Sequence, residues 1–499
     1  MKVGTRAAGV ALKWQPVDNR RTPRLNQIVP TKLSLDADRL FPADPATRGV
    51  ARELYDLIAE LPIISPHGHV DPALLVANAA FPDPAELFIR FDHYVTRLMH
   101  SAGIPLNALG IPDRTTGAPL AAPREVWRTF SENWHLYAGT ASGYWLQSTF
   151  SQLFDIGTPS REYADSSYDV IQAALATEEY RPRALFERFG IEVLATTDDP
   201  MDDLAPHRAL AADPEFSGRV LPTFRPDAYL NPATPGWADN VGRLADWNGT
   251  SVQSYAGYLD ALAGRRRYFV ENGAVSADHG VLEPFTIDLS ASDAAALFDR
   301  GLAGTLTPQE ARAFGGHMLL ESARMSVDDG LVMTVHPGVY RNHSSETLER
   351  FGPDTGHDIP VATQYVDNLR PLLERYGMAK GFHLLLFSMD ETVYSREVAP
   401  LAGFYPSVFI GAPWWFLDAP DAGMRFRSAV TETAGFYRNS GFIDDARAFL
   451  SIPARHDMAR RLDAAFLARL VLEGRLDRAS AETIALDLTD LMPRKVFKL

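Results

Sequence analysis

The sequence predicts an α/β fold of the (β/α)8-barrel class. Two observations carry it: short apolar runs alternate with longer amphipathic segments along most of the chain, and polar residues follow each apolar run. A parallel barrel places its chemistry at the C-terminal ends of its strands, so this punctuation is what a barrel enzyme requires. A third observation is length, since 499 residues fit one barrel with insertions.

Eight runs read as strands: Leu61–Ser65, Ile191–Thr196, Arg219–Phe224, Gly273–Ala277, Leu331–Val335, His383–Phe387, Pro406–Ile410 and Phe436–Ile443. Asn439, Ser440 and Gly441 interrupt the eighth, which makes it the weakest pattern. Helical periodicity marks Ser254–Phe269, Pro308–Met325, Ala362–Tyr376 and Met424–Gly435, and Arg455–Gly474 reads as an amphipathic helix that closes the barrel. Residues 1–45, rich in Pro, Arg and Asn, read as an irregular N-terminal arm. Residues 72–190 are too many for one crossover helix and read as an inserted helical subdomain after the first strand, leaving 46–71 and 191–499 for the barrel. A helix is expected over Leu87–Met99 within that insertion.

Composition narrows the partners. A formal net charge of -15 argues against nucleic acid and anionic membranes, which need a basic face. No window reaches the 18 apolar residues of a membrane span, and the run Ala7 to Leu12 is too short for a secretory signal. A cytoplasmic location is therefore expected. Without cysteine, any metal must be held by histidine and carboxylate. No phosphate-binding loop or dinucleotide fingerprint occurs, so no nucleotide cofactor is expected.

The candidate residues close the strand-like runs. In Pro66-His67-Gly68-His69 the imidazoles are two residues apart on an extended chain and can face one cation. Asp445, after the eighth run, would meet them, because the first and last strands of a closed barrel are neighbours. Either Asp444 or Asp445 could instead merely cap the following helix. His336 follows the fifth run, where a lone histidine is more often a hydrogen-bonded structural residue. Arginine is usually solvated or ion-paired, but Arg225, Arg341 and Arg447 on one rim would make a carboxylate pocket through bidentate bonds. Tyr94 in Asp92-His93-Tyr94, and Trp414-Trp415, are by default packing residues, though aromatic faces also suit sugars.

Taken in order, Pro-His-Gly-His (66–69), Asp-His-Tyr (92–94), Thr-Thr-Asp-Asp-Pro (196–200), Phe-Arg-Pro-Asp (224–227), His336 to Asn342, Phe-Gly-Pro-Asp-Thr-Gly (351–356), Trp-Trp-Phe (414–416) and Asp-Ala-Arg-Ala-Phe-Leu-Ser (445–451) closely resemble uronate isomerases of the amidohydrolase superfamily. The similarity runs from about residue 50 to 475. Ser65 stands where many members place Asp. The resemblance implies an amidohydrolase-type barrel with one divalent metal, commonly zinc, on His67, His69 and Asp445, with His336 close by and no bridging carboxylated lysine. Mn2+, Fe2+ and Co2+ suit the same donors.

The resemblance further implies aldose–ketose isomerisation of hexuronic acids, D-glucuronate to D-fructuronate and D-galacturonate to D-tagaturonate, through an enediol. By position, Tyr94, Arg447, Asp278 and His336 are the catalytic candidates, and His93, Arg225, Arg341 and Trp414 the substrate contacts. Tyr94, its pKa lowered by cationic neighbours, is expected to carry the proton at C2. The competing readings are a metal-dependent hydrolase or decarboxylase on the same barrel and a catalytically inactive sugar-acid binding protein. A homo-oligomer is expected.

Overall fold

The computed structural model of the chain describes residues 33–117, 119–248 and 254–499. Residues 1–32 of the expected N-terminal arm lie outside that set. Ten strands occur among the described residues: β1 Ile63–Ser65, β2 Ile191–Ala195, β3 Arg219–Leu221, β4 Thr223–Phe224, β5 Ser276–Val281, β6 Val332–Pro337, β7 Val339–Tyr340, β8 Ile359–Pro360, β9 Leu384–Leu386 and β10 Val408–Ile410.

All but β7 and β8 are parallel, in two arcs of order β1-β2-β3 and β4-β5-β6-β9-β10. The arcs meet in the predicted third strand. Pro222 divides it into β3 and β4, because proline offers no N–H to a ladder. The first half pairs with β2 and the second with β5, while Asp198 bridges to Phe224 across the break. Leucine, isoleucine and valine dominate strands β1, β2, β9 and β10, as expected where both faces are covered. The chain is thus α/β, with its parallel strands neighbouring one another in sequence order.

The eighth predicted strand is not a regular one. A 3-10 turn occupies Phe436–Arg438, and the remainder is joined to the sheet by a single parallel bridge from Asn439 to Ile410. Gly441, at φ +74°, cannot continue a strand. The segment returns to the first strand through one bond, His69 N–H to Ala446 O at 2.9 Å.

Two strand ends also shift. The predicted Gly273–Ala277 begins instead at Ser276 and runs to Val281, because Asn272, Gly273 and Ala274 still close the preceding helix through bonds to residues 268–270. Asp278 therefore lies inside a strand, not after it. His336 likewise lies within β6, opposite Gly280 of β5. β7 and β8 form a small antiparallel ladder at the base of an excursion carrying the helix Ser345–Phe351, which the sequence pattern did not reveal.

Between β1 and β2 the described residues form six α-helices, from Ala73–Ala77 to Pro182–Arg188, with shorter turns between them. Their aromatic residues Trp127, Phe130 and Phe150 share one buried cluster with Ile191, Leu194 and Phe449. The helix expected over Leu87–Met99 is broken. A π-turn spans Glu86–Arg90, and a new helix, His93–Ser101, starts on Asp92, whose carboxylate accepts from Tyr94 N–H and Val95 N–H. Asp92 prefers this cap to a helix interior because its side chain satisfies otherwise orphaned amides.

The closing helix spans Ile452–Leu472 and is buried on nearly every side, not on one face as an amphipathic helix would be. Its charged residues tolerate this because they are paired. Arg455 binds Asp418, Asp463 binds Arg427, and Arg460 donates to the carbonyls of Ala59, Leu61 and Pro62. Among the described residues no helix is long and apolar enough to cross a membrane.

Candidate active site

Strand ends and the loops after them deliver the polar groups to one cleft. Ten of the eleven sequence-predicted site residues line it: His67, His69, His93, Tyr94, Arg225, His336, Arg341, Trp414, Asp445 and Arg447, joined by Trp415. Asp278, the eleventh, is fully buried behind His336.

His67 and His69 leave β1 on the same side, separated by Gly68, whose carbonyl is tied to Thr197 Oγ1 at the end of β2. Asp445 Oδ1 lies 3.0 Å from His69 Nε2 and 3.5 Å from His67 Nε2. Donor atoms around a tetrahedral ion with bonds of about 2.0–2.1 Å stand roughly 3.3 Å apart, so this spacing fits one divalent cation. Asp445 reaches the position with φ +46°, in the left-handed region that Asp tolerates better than most residues. Neither aspartate caps the following helix, which starts after Ser451; Asp444 instead accepts from Ala446 N–H at 3.0 Å and from His456 Nε2 at 2.9 Å.

A second group of potential ligands, His67, Asp278 and His336, shares His67 with the first. In it Asp278 is already engaged. Oδ1 accepts from Thr334 Oγ1 and His336 Nδ1, both at 2.6 Å, and Oδ2 lies 3.3 Å from Arg225 Nη1. His336 Nδ1 donates to Asp278, and its Nε2 is buried and without a hydrogen bond. His336 is stacked between His67 at 4.7 Å and Phe387 at 3.9 Å.

Burial opposes charge throughout this site. It lowers His67 and His93 to about 4, so both imidazoles are neutral near pH 7. Burial also works against the charged form of Asp278, but His336, His67 and Arg225 outweigh it and hold the carboxyl well below its ordinary range. Asp445 is lowered in the same way, the histidines prevailing over burial.

Tyr94 runs against the expectation. Burial raises its phenol well above the usual value, Arg455 alone among its main neighbours opposes this, and Asp445, Asp418 and Asp92 add to the rise. Two arginines of the same cleft are paired elsewhere: Arg447 faces Asp354 at 3.3 Å, and Arg341 bonds Asp358 at 2.9 Å while lying over the Trp415 ring.

Sequence reasoning missed Asp358, Thr334, Arg455 and His456 as members of the site's support. Asp354 stood within a recognised motif, but its pairing with Arg447 crosses 93 residues of chain and leaves no local pattern.

Comparison with known proteins gives the family of the chain. A family model described as glucuronate isomerase matches residues 45–491. A uronate isomerase of Corynebacterium efficiens is 54% identical over 464 residues, covering 93% of this chain and 98% of the relative. The crystal structure of glucuronate isomerase from Caulobacter crescentus superimposes with a TM-score of 0.91 at 49% identity, covering 94% of this chain and 98% of that one. That of uronate isomerase from Thermotoga maritima gives 0.86 at 26% identity, covering 93% and 99%. With a match over nearly its whole length, the chain belongs to the glucuronate isomerase family.

Proposed function

We propose that this protein interconverts hexuronic acids between aldose and ketose forms, D-glucuronate with D-fructuronate and D-galacturonate with D-tagaturonate, through an enediol. The observation that carries the proposal is the convergence, in one cleft, of a three-donor cation site, three guanidinium groups and a buried phenol. A chain of charge -15 would repel a uronate almost everywhere else. The setting is a closed barrel, with residues 72–190 as a helical subdomain inserted after its first strand.

His67, His69 and Asp445 are the ligands of one divalent ion, for which zinc is our assignment and Mn2+, Fe2+ or Co2+ the alternatives the donors allow. When bound there, the ion supplies a template and a Lewis acid for substrate oxygens. Arg225 and Arg341 bind the substrate carboxylate, with Trp414 and His93 bounding the sugar. Arg447 stabilises the charge that develops on the enediolate oxygen.

Tyr94 moves the proton. Because burial keeps the phenol protonated, Tyr94 gives its proton to C2 in the ketose-to-aldose direction while a second group of the cleft takes the proton lost from C1; in the other direction the same two transfers run in reverse. The His336–Asp278 pair relays hydroxyl protons. A homo-oligomer completes our reading.

Proton NMR of the metal-loaded protein with D-glucuronate and D-galacturonate in deuterated water tests it. Loss of the aldose signals, appearance of ketose and deuterium at carbon are expected. Products of lower mass, or an unchanged sugar, would reject the isomerase reading.

A further inference from the structure

The metal ligand Asp445 sits in a left-handed backbone conformation on an irregular segment, so something must over-determine it. The closing helix does so with two consecutive residues of its first turns. Arg455 Nη1 donates to the backbone carbonyl of Asp444 at 2.9 Å and to Asp418 Oδ2 at 2.8 Å. His456 Nε2 donates to the Asp444 side chain at 2.9 Å, whose other oxygen accepts from Ala446 N–H. Residue 444 is therefore held at its carbonyl and its carboxylate, and Ala446 is fixed on the far side of Asp445 by its own amide and by the bond from His69 N–H.

Arg455, His456, Asp418, Asp444 and Ala446 are all buried. The Arg455 guanidinium is further wedged 3.7 Å above the Trp145 ring. Neither residue touches the proposed ligand atoms.

We propose that Arg455 and His456 are positioning residues that clamp Asp444 and thereby aim the Asp445 carboxylate at the cation site. The inference rests on the ligand set given above, but not on which sugar the protein converts. Groups that orient a ligand from behind typically govern metal affinity by about tenfold to a hundredfold. Arg455→Lys shortens and weakens the double bond. His456→Leu removes the carboxylate bond, and His456→Gln restores a donor at similar reach.

The test measures metal retention, by stoichiometry after dialysis and by the rate of loss of zinc to a chelator, with thermal melting to confirm folding. Arg455→Lys and His456→Leu should release zinc at least about tenfold faster than the native chain, and His456→Gln should lie near native. The clamp is overturned if folded Arg455→Lys and His456→Leu hold zinc as the native protein does, if His456→Gln fares no better than His456→Leu, or if the native chain takes up no zinc. A native chain that retains zinc but converts no hexuronate would sink the isomerase reading alone, leaving the clamp to be judged on the release rates.

Discussion

Tyr94 is the residue on which the proposed chemistry turns. Its ring is stacked on His93 at 4.6 Å and edge-on to Trp145 at 5.7 Å, so its position is set by packing that a phenylalanine would keep. Only the hydroxyl would be lost. Tyr94→Phe should therefore lower kcat by about a hundredfold or more, the usual contribution of a placed acid–base group, while KM changes little. Solvent deuterium should also cease to enter the product. Steady-state kinetics with NMR of the product decide it, and a variant keeping most of its turnover would remove Tyr94 from the proton path. At this scale the sequence was informative because strand-end polar residues in a barrel converge by construction. It was silent about acidity. The state of Tyr94 depends first on burial, and then on Arg455, Asp445 and Asp418, all more than 300 residues away along the chain.

Among the elements, the helix His93–Ser101 matters most to the site because its first turn carries two of the cleft residues. Asp92 starts it by accepting from Tyr94 N–H at 2.8 Å, and burial raises the carboxyl's pKa despite Arg455 and the two amide bonds. Asp92→Ala would orphan a buried amide and cost about 1 kcal/mol, with a range of roughly 0.5–2. Denaturant unfolding should register that loss, and activity should fall further than stability does, because His93 and Tyr94 lose their anchor. Unchanged kinetics in a destabilised variant would show that the ring packing alone holds Tyr94. The periodic signal around residues 87–99 was legible, but the break was not, since a π-turn and a capped restart share the apolar spacing of one continuous helix. The closing segment was misread for a related reason. Phe436, Phe442 and Ile443 have strand character, yet Gly441 and the turn at Phe436–Arg438 leave only one bridge. For the helix Ile452–Leu472, the charges that suggested a solvated face are satisfied internally.

For the whole molecule the consequence is one weak seam between the first strand and the last segment. Among the described residues, seven parallel strand positions are joined by ladders, whereas the backbone of the last segment meets the flanking strands through one bridge at Asn439 and one amide bond between His69 and Ala446. The proposed ion lies across this seam, drawing His67 and His69 from the first strand and Asp445 from the last segment. Metal binding should therefore stabilise the fold as a whole and the seam in particular. At free metal of 100 times Kd, linkage contributes about 2.7 kcal/mol. With an unfolding entropy on the order of 1 kcal/mol/K for a chain of this size, stripping the metal should lower Tm by about 3 °C. Hydrogen exchange gives the local half of the prediction. On chelation the amides of His69 and Ala446 should lose protection, while those of β5 and β6, deep in the longer arc, should keep theirs. Uniform loss across the arc would mean that the ion stabilises the molecule without acting as its clasp. No change in either Tm or exchange would place the ion somewhere other than between the first strand and Asp445.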